Sequence, residues 1–249
     1  MSKFISKQSV AIWYGLTALL ATFLVGQVIL WCFPDGRSMG ASLLFILMNL
    51  IPMIVAAVFS LVLSEVNSLG EFFKKVFLQK ESPLSWILAF FIPVIYYGIS
   101  ILLMNVRFTG NSLLAFFLYF PWTLLYGGLE EVGWRWFLQD HLSFSKHFIP
   151  KMMLLSIVWF LWHIPIYQLP WITAGSSNYL IFYLMILGNT FLFGALKEYS
   201  KGAVPCILAH MLIDSLAVLM LVQSSLPQII LLVSFEILVA SWLVTIRKS

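Results

Sequence analysis

Glu130, Glu131 and Arg135 lie in GGLEEVGWRWFLQ, His163 in VWFLWHIPIY, and His210 with Asp214 in CILAHMLIDS, all inside stretches that otherwise read as lipid-soluble. An ionisable group at the centre of a bilayer costs a few kcal/mol or more, so each should be paired and face protein or a wet cavity. Two adjacent acids, a guanidinium and two imidazoles on three segments are the parts of a proton-transfer centre. On a helix Glu131 and Arg135, four apart, share a face, so Arg135 can hold Glu131 ionised, whereas Glu130 points about 100° away. Glu130 is therefore the acid freer to face a cavity and take a proton from water, the task of a general base. His210 and Asp214 are also four apart, so Asp214 can orient His210 or share its site. His163 follows Trp159 by one turn and precedes Pro165.

The elements that must position these groups are helices. The 249 residues are 61% hydrophobic and 10% charged, with mean hydropathy +0.98, outside the range of soluble domains. Apolar runs occur at 11–33, 41–63, 84–106, 112–137, 152–168, 178–196, 203–222 and 226–246, each close to the ~20 residues that a bilayer requires. The expected fold is an all-α polytopic bundle of about eight spans, a single integral-membrane domain over 1–249. The first run is long enough to be a span rather than a cleavable signal.

Basic residues set the orientation. Lys3, Lys7, Lys74, Lys75, Lys80, Lys146, Lys151, Lys197, Lys201, Arg247 and Lys248 fall at one set of ends, while the other holds only Arg37 and Arg107. This split places both termini in the cytoplasm and explains the net charge of +4 without nucleic acid, which is not an expected partner. Cys32 and Cys206 fall at opposite ends of their spans, too far apart for a disulfide. Counting 1.5 Å per residue from the cytoplasmic ends puts Glu130, His163 and His210 about 10–15 Å deep, in one pocket expected to open to the cytoplasm.

Other polar features have quieter readings. SLGEFFKKVFLQK reads as a short cytoplasmic helix at 68–80 lying in the membrane interface, with a capping-box pattern at Ser68 and Glu71. Pro121, Gly127 and Gly128 permit a kink before the two acids. Asn49 and Asn189 are expected to bridge helices, and His141 and His147 to be solvated in a loop. Glu236 has no basic neighbour in sequence.

At these residues the chain resembles the CPBP family of intramembrane proteases, which takes in CAAX proteases and bacteriocin-processing enzymes and is also called Abi. The family's EExxxR motif is Glu130, Glu131 and Arg135, its FxxxH motif falls on Trp159 and His163, and its Hxxx(N/D) motif is His210 and Asp214. The resemblance covers residues 84–222, a protease-like core. Trp159 stands in place of Phe, Asp214 in place of Asn, and Trp136 where many members have Gly and where a ring would narrow the pocket or reshape access to it.

What the resemblance implies is hydrolysis of a peptide bond in a membrane-embedded or lipidated substrate, beside the lipid bilayer. Glu130 and His163 would activate a water, His210 with Asp214 would stabilise the oxyanion, and Glu131 with Arg135 would hold the base. A zinc version is equally open, with Glu130, His163 and His210 as metal ligands and Glu131 as base. Prenylated CaaX-like tails and bacteriocin or pheromone precursors are both candidate substrates. A noncatalytic immunity or scaffold protein and a proton-coupled transporter are the competing classes.

Overall fold

The computed structural model describes residues 6–36, 38–103, 105–143, 147–171, 178–223 and 225–248. Lys3, Arg37, Lys146 and residues 172–177 of the turn after Pro170 lie outside them. Helices α1 (Lys7–Cys32) and α2 (Met39–Val62) are followed by the short α3 (Leu69–Phe77) and by α4 (Pro83–Leu102). After β1 (Val106–Phe108) comes α5 (Leu113–Thr123), continued by π-helical turns over Leu124–Gly128 and Val132–Leu138 and by α6 (Gln139–His141). The chain finishes with α7 (Phe148–Tyr167), α8 (Tyr179–Tyr199), α9 (Val204–Leu216), β2 (Met220–Val222) and α10 (Leu226–Lys248).

Short polar residues start many of these helices. The side chains of Ser6, Ser38, Ser68, Ser82 and Asn178 accept hydrogen bonds from the first free amides of α1, α2, α3, α4 and α8. In α3 the box is offset by one residue: Glu71 N–H donates to Ser68 Oγ, while the Glu71 carboxylate accepts from the Asn67 amide. Only Phe72 and Val76 of α3 are buried, with Leu69 and Phe73 left exposed toward the surroundings.

Every apolar run expected to span is helical over most of its length, and this is a multi-pass integral membrane protein. Two runs differ from a simple span. Among the described residues six helices (α1, α2, α4, α7, α8 and α10) are long and apolar enough to cross a bilayer. The run at 112–137 gives a seventh only as a bent pair, Leu113–Gly128 and Val132–His141, inclined by 45°. The run at 203–222 ends its helix at Leu216, giving a helix of 13 residues, which reaches about 20 Å, short of the ~30 Å hydrocarbon core. Its remainder forms β2, which pairs antiparallel with β1 in the register Val106 to Val222, Arg107 to Leu221 and Phe108 to Met220. That ribbon was not legible as strand because its residues continue apolar helical runs.

Helix α9 is the middle of the bundle, packed against α4, α5, α8 and the first π turn, while α1 packs on α2 and α7. Close approach is set by small residues, as membrane bundles require. A Cβ at Gly133 would lie 2.6 Å from the Pro52 carbonyl oxygen, so α2 rests directly on the second π turn. Tyr14 of α1 joins the same contact by donating to Pro52 O at 3.0 Å.

The lysine-rich ends of the helices meet on one face and are tied together. Glu81 accepts from the amides of Lys201 and Gly202, Ala203 N–H donates to Val76 O, and Lys197 pairs with Asp140 at 3.1 Å. His141, expected to be solvated, is buried here: its Nδ1 donates to Phe137 O, and its Nε2 lies 2.8 Å from Glu65 Oε1. The phenyl ring of Phe137 and the loop after α2 enclose it, which spacing in one helix could not reveal. His147 is exposed, as expected.

Candidate active site

The two acids occupy the irregular point of their segment. Glu130 and Glu131 lie between the two π-helical turns, at the 45° bend. Such insertions redirect side chains that a straight helix would spread around its axis, and they recur at functional sites. The glycines ahead of the bend clear the space. A Cβ on Gly127 would overlap Asp214 Oδ2 and sit 3.1 Å from His210 Nε2, and one on Gly128 would press on Met211 and Ile207.

Glu131 is completely used. Its Oε2 accepts from Arg135 Nε at 2.8 Å and its Oε1 from His210 Nδ1 at 2.8 Å, with both Glu131 and Arg135 fully buried. The Arg135 guanidinium also donates to Thr190 O at 3.4 Å and lies 4.8 Å from the centre of the Trp159 ring and 5.6 Å from that of Phe193. Charge pairing, a carbonyl and two aromatic faces replace part of the water that this cation has lost, and Nη2 is left buried without a hydrogen-bond partner.

Glu130 is held differently. Its Oε1 accepts from Trp159 Nε1 at 3.3 Å and lies 3.5 Å from His210 Nδ1. Its Oε2 is buried without a hydrogen-bond partner. An unpaired buried acceptor of this kind asks for a donor that the protein itself does not supply. On the far side of the imidazole, His210 Nε2 lies 3.5 Å from Asp214 Oδ2. Hence α9 contributes a histidine clamped between the acids of one helix and the acid of its own next turn.

His163 is bonded elsewhere. It sits in the last turns of α7, farther from the lysine-rich face than depth counting suggested, and its Nδ1 donates to Trp159 O at 2.8 Å. That bond turns the other nitrogen, Nε2, into the acceptor of a neutral ring. Among the described residues, the metal-like group of closely spaced donors is Glu130, Glu131 and His210, not the expected set Glu130, His163 and His210.

All the same, one cavity joins these groups. A space of about 980 Å³ is lined by Glu130, His163, His210 and Asp214, with Asn49, Tyr126 and Trp162 in its walls. A side recess of about 170 Å³ continues it past His163, His210 and Asp214 between Tyr96, Tyr97, Phe182 and Ile213. Asn189 lines this recess with its Oδ1 unpaired, and Asn49 donates to Phe45 O within its own helix. Among the described residues neither asparagine bridges helices, and each lines open space instead.

Two further expectations change. Trp136 does not line the cavity; it is turned away and meets Phe72 of α3 edge-on at 5.4 Å, so the ring anchors α3 rather than narrowing the pocket. Trp159 does more than conserve an aromatic shape, since its indole N–H reaches Glu130, which phenylalanine could not do. Glu236 is fully buried against Gly188, and neither of its oxygens has a hydrogen-bond partner.

Fold and site together define a polytopic helical membrane protein with a buried carboxylate–imidazole–guanidinium centre open to one cavity. The family model for type II CAAX prenyl endopeptidase Rce1-like proteins matches residues 109–216, which hold every member of that centre. Over this stretch the chain is similar to that family. None of the curated proteins matches it.

Proposed function

We propose that the protein is an intramembrane endopeptidase that hydrolyses a peptide bond in a lipidated or membrane-embedded peptide. The Rce1-like match supports CAAX-type endopeptidase activity in general. The observation that carries the reading for these residues is the unpaired, buried Oε2 of Glu130, a residue that lines a cavity large enough for a peptide segment.

In the proposed reaction, Glu130 takes a proton from a water whose oxygen attacks the scissile carbonyl carbon, and His163 Nε2 accepts a second hydrogen bond from that water. The negative charge that develops on the carbonyl oxygen is met by His210, which Glu131 and Asp214 flank with opposite charge. Collapse of the tetrahedral intermediate breaks the C–N bond, and the proton held by Glu130 passes to the departing amine, leaving a carboxylate and a free amino terminus. Glu131 and Arg135 position the centre without reacting. Trp159 fixes the rotamer of Glu130.

The donor set argues for doing this without a metal. Both oxygens of Glu131 are engaged by Arg135 and His210, and His210 directs its Nδ1 proton at Glu131, so an ion in that group would have to displace Arg135 or strip the imidazole. Glu130 Oε2 is the one carboxylate oxygen of the three-residue group left without a partner.

The reading is tested by mass spectrometry of cleaved peptides in membranes carrying the intact protein against membranes carrying Glu130→Gln. New peptide termini should be present only with the intact protein, and purified enzyme should keep its activity through exhaustive chelation. Equal cleavage by Glu130→Gln would remove the base assignment.

A further inference from the structure

The cavity above Glu130 and His210 has a mouth, and it lies at the end of the bundle opposite the lysines. The exposed residues of its lining are Ser42, Tyr119, Arg107 and Gln223, at the outer ends of α2 and α5 and on or beside the β1–β2 ribbon. None of its lining residues comes from 64–83, 138–151 or 197–206. Those are the segments bound together by the Glu81, Val76–Ala203, Lys197–Asp140 and His141–Glu65 contacts, which floor the chamber.

Among the described residues the floored end carries Lys7, Lys74, Lys75, Lys80, Lys151, Lys197, Lys201 and Arg247, while the open end carries Arg107. Short loops with this excess of lysine stay in the cytoplasm. The open end therefore faces away from it, and the expectation of a pocket open to the cytosol is reversed.

We infer that the chamber is loaded from the extracytoplasmic side, and that its substrate is a membrane-anchored peptide whose scissile segment has already crossed the bilayer. This rests on the endopeptidase reading for the word substrate, and on cavity geometry alone for the side of entry. A tail displayed in the cytosol would have to pass the floor of buried side chains and ion pairs to reach Glu130. A segment emerging on the far side meets a mouth beside the β1–β2 ribbon and walls of Tyr119, Tyr126, Tyr167 and Trp171, rings that offer apolar faces with polar edges to an extended peptide. Of the substrate classes that the sequence leaves open, exported precursors fit this entry and cytosolic CaaX-like tails do not.

The test uses the full chain in a Cys32→Ser background with the buried Cys206 retained, and single cysteines introduced as Ala217→Cys in the chamber wall, Gln223→Cys at the mouth and Lys74→Cys on the floored face. Leu221→Cys is a second chamber position should Ala217→Cys fold poorly. Right-side-out and inside-out vesicles are treated with a membrane-impermeant methanethiosulfonate, and remaining thiols are read by a gel shift. Blocking of the chamber and mouth cysteines in right-side-out vesicles, with Lys74→Cys blocked only in inside-out vesicles, is the expected result.

Reaction of the chamber cysteine only from the Lys74 side, a reversed pattern for Gln223→Cys and Lys74→Cys, or a chamber cysteine inert from both sides would each overturn the inference. Labelling needs no hydrolysis. A protein labelled from outside whose Glu130→Gln variant leaves the membrane peptides unchanged would lose the protease reading and keep the side of entry.

Discussion

Trp159 Nε1 donates to Glu130 Oε1 across 3.3 Å, from the residue one helical turn before His163. The same indole face carries the Arg135 guanidinium at 4.8 Å, so one side chain touches the base and the cation that holds its neighbour. Trp159→Phe keeps a ring and deletes the donor. With a hydrogen bond to a charged group worth about 1.5–3 kcal/mol and this one long, kcat should fall about tenfold with KM little changed. Steady-state kinetics on a mapped substrate checks it, and an unchanged kcat would leave Trp159 a packing residue.

Arg135 bonds Glu131 through Nε at 2.8 Å, in full burial. Arg135→Gln leaves the buried Glu131 carboxylate with His210 alone, and removing one partner of a buried pair costs about 3–5 kcal/mol of stability. Thermal unfolding in detergent should show a large drop, and Arg135→Lys should not rescue it, because an ammonium cannot bond Glu131 and Thr190 while stacking on Trp159. A melting temperature equal to that of the unaltered protein would contradict this account.

Gly127 has no room for a methyl group beside Asp214 and His210, whereas nothing lies within 4 Å of a Cβ at Gly98. Gly127→Ala should therefore abolish most activity by pushing His210 and Asp214 out of position, while Gly98→Ala should be silent. Cleavage assays on protein matched for monodisperse yield compare the two directly.

Glu71 gives a local pH response. Its carboxyl is held down at about 2, chiefly by the Asn67 backbone N–H and then by Lys75 and the Asn67 side chain, against an ordinary 4.5. A depressed carboxyl stabilises fully above its unfolded value and loses that contribution as pH falls toward the folded one. Hydrogen exchange over α3 should be slow near neutrality and accelerate as pH drops below about 4.5, after correction for the intrinsic rate, with Glu71→Ala already fast at neutral pH. Exchange in α3 that ignores both changes would show that the Glu71 cap contributes nothing there.

Much of the site was legible along the chain. Glu131 with Arg135 and His210 with Asp214 are each four apart, and a helical turn brings such pairs to one face whatever surrounds them. Burial was legible too, since eight apolar runs leave no aqueous place for these charges. His163 was harder: its motif spacing placed it with the others and it lines the same cavity, but its Nδ1 is bonded to Trp159 O rather than to the acids. The roles of Trp136 and Asn49 were misjudged for one reason, that helical phase says which face a residue occupies and not what stands opposite.

The sequence by itself determined that this is a helical membrane protein, which ends carry its positive charge, and which acids, imidazoles and guanidinium must find partners. Hydropathy and local helical geometry act over about one turn to one span, so one-dimensional spacing is enough to reveal them. Only the tertiary structure decided that the segment bearing Glu130 and Glu131 bends by 45° between two π turns, that α9 stops at Leu216 and yields to a strand, and that the lysine-rich ends are tied to one another and give the cavity none of its lining. Those outcomes depend on contacts between residues far apart in the chain, such as Gly127 with Asp214, Glu131 with His210 and Val76 with Ala203. Such contacts exist only once the helices have packed.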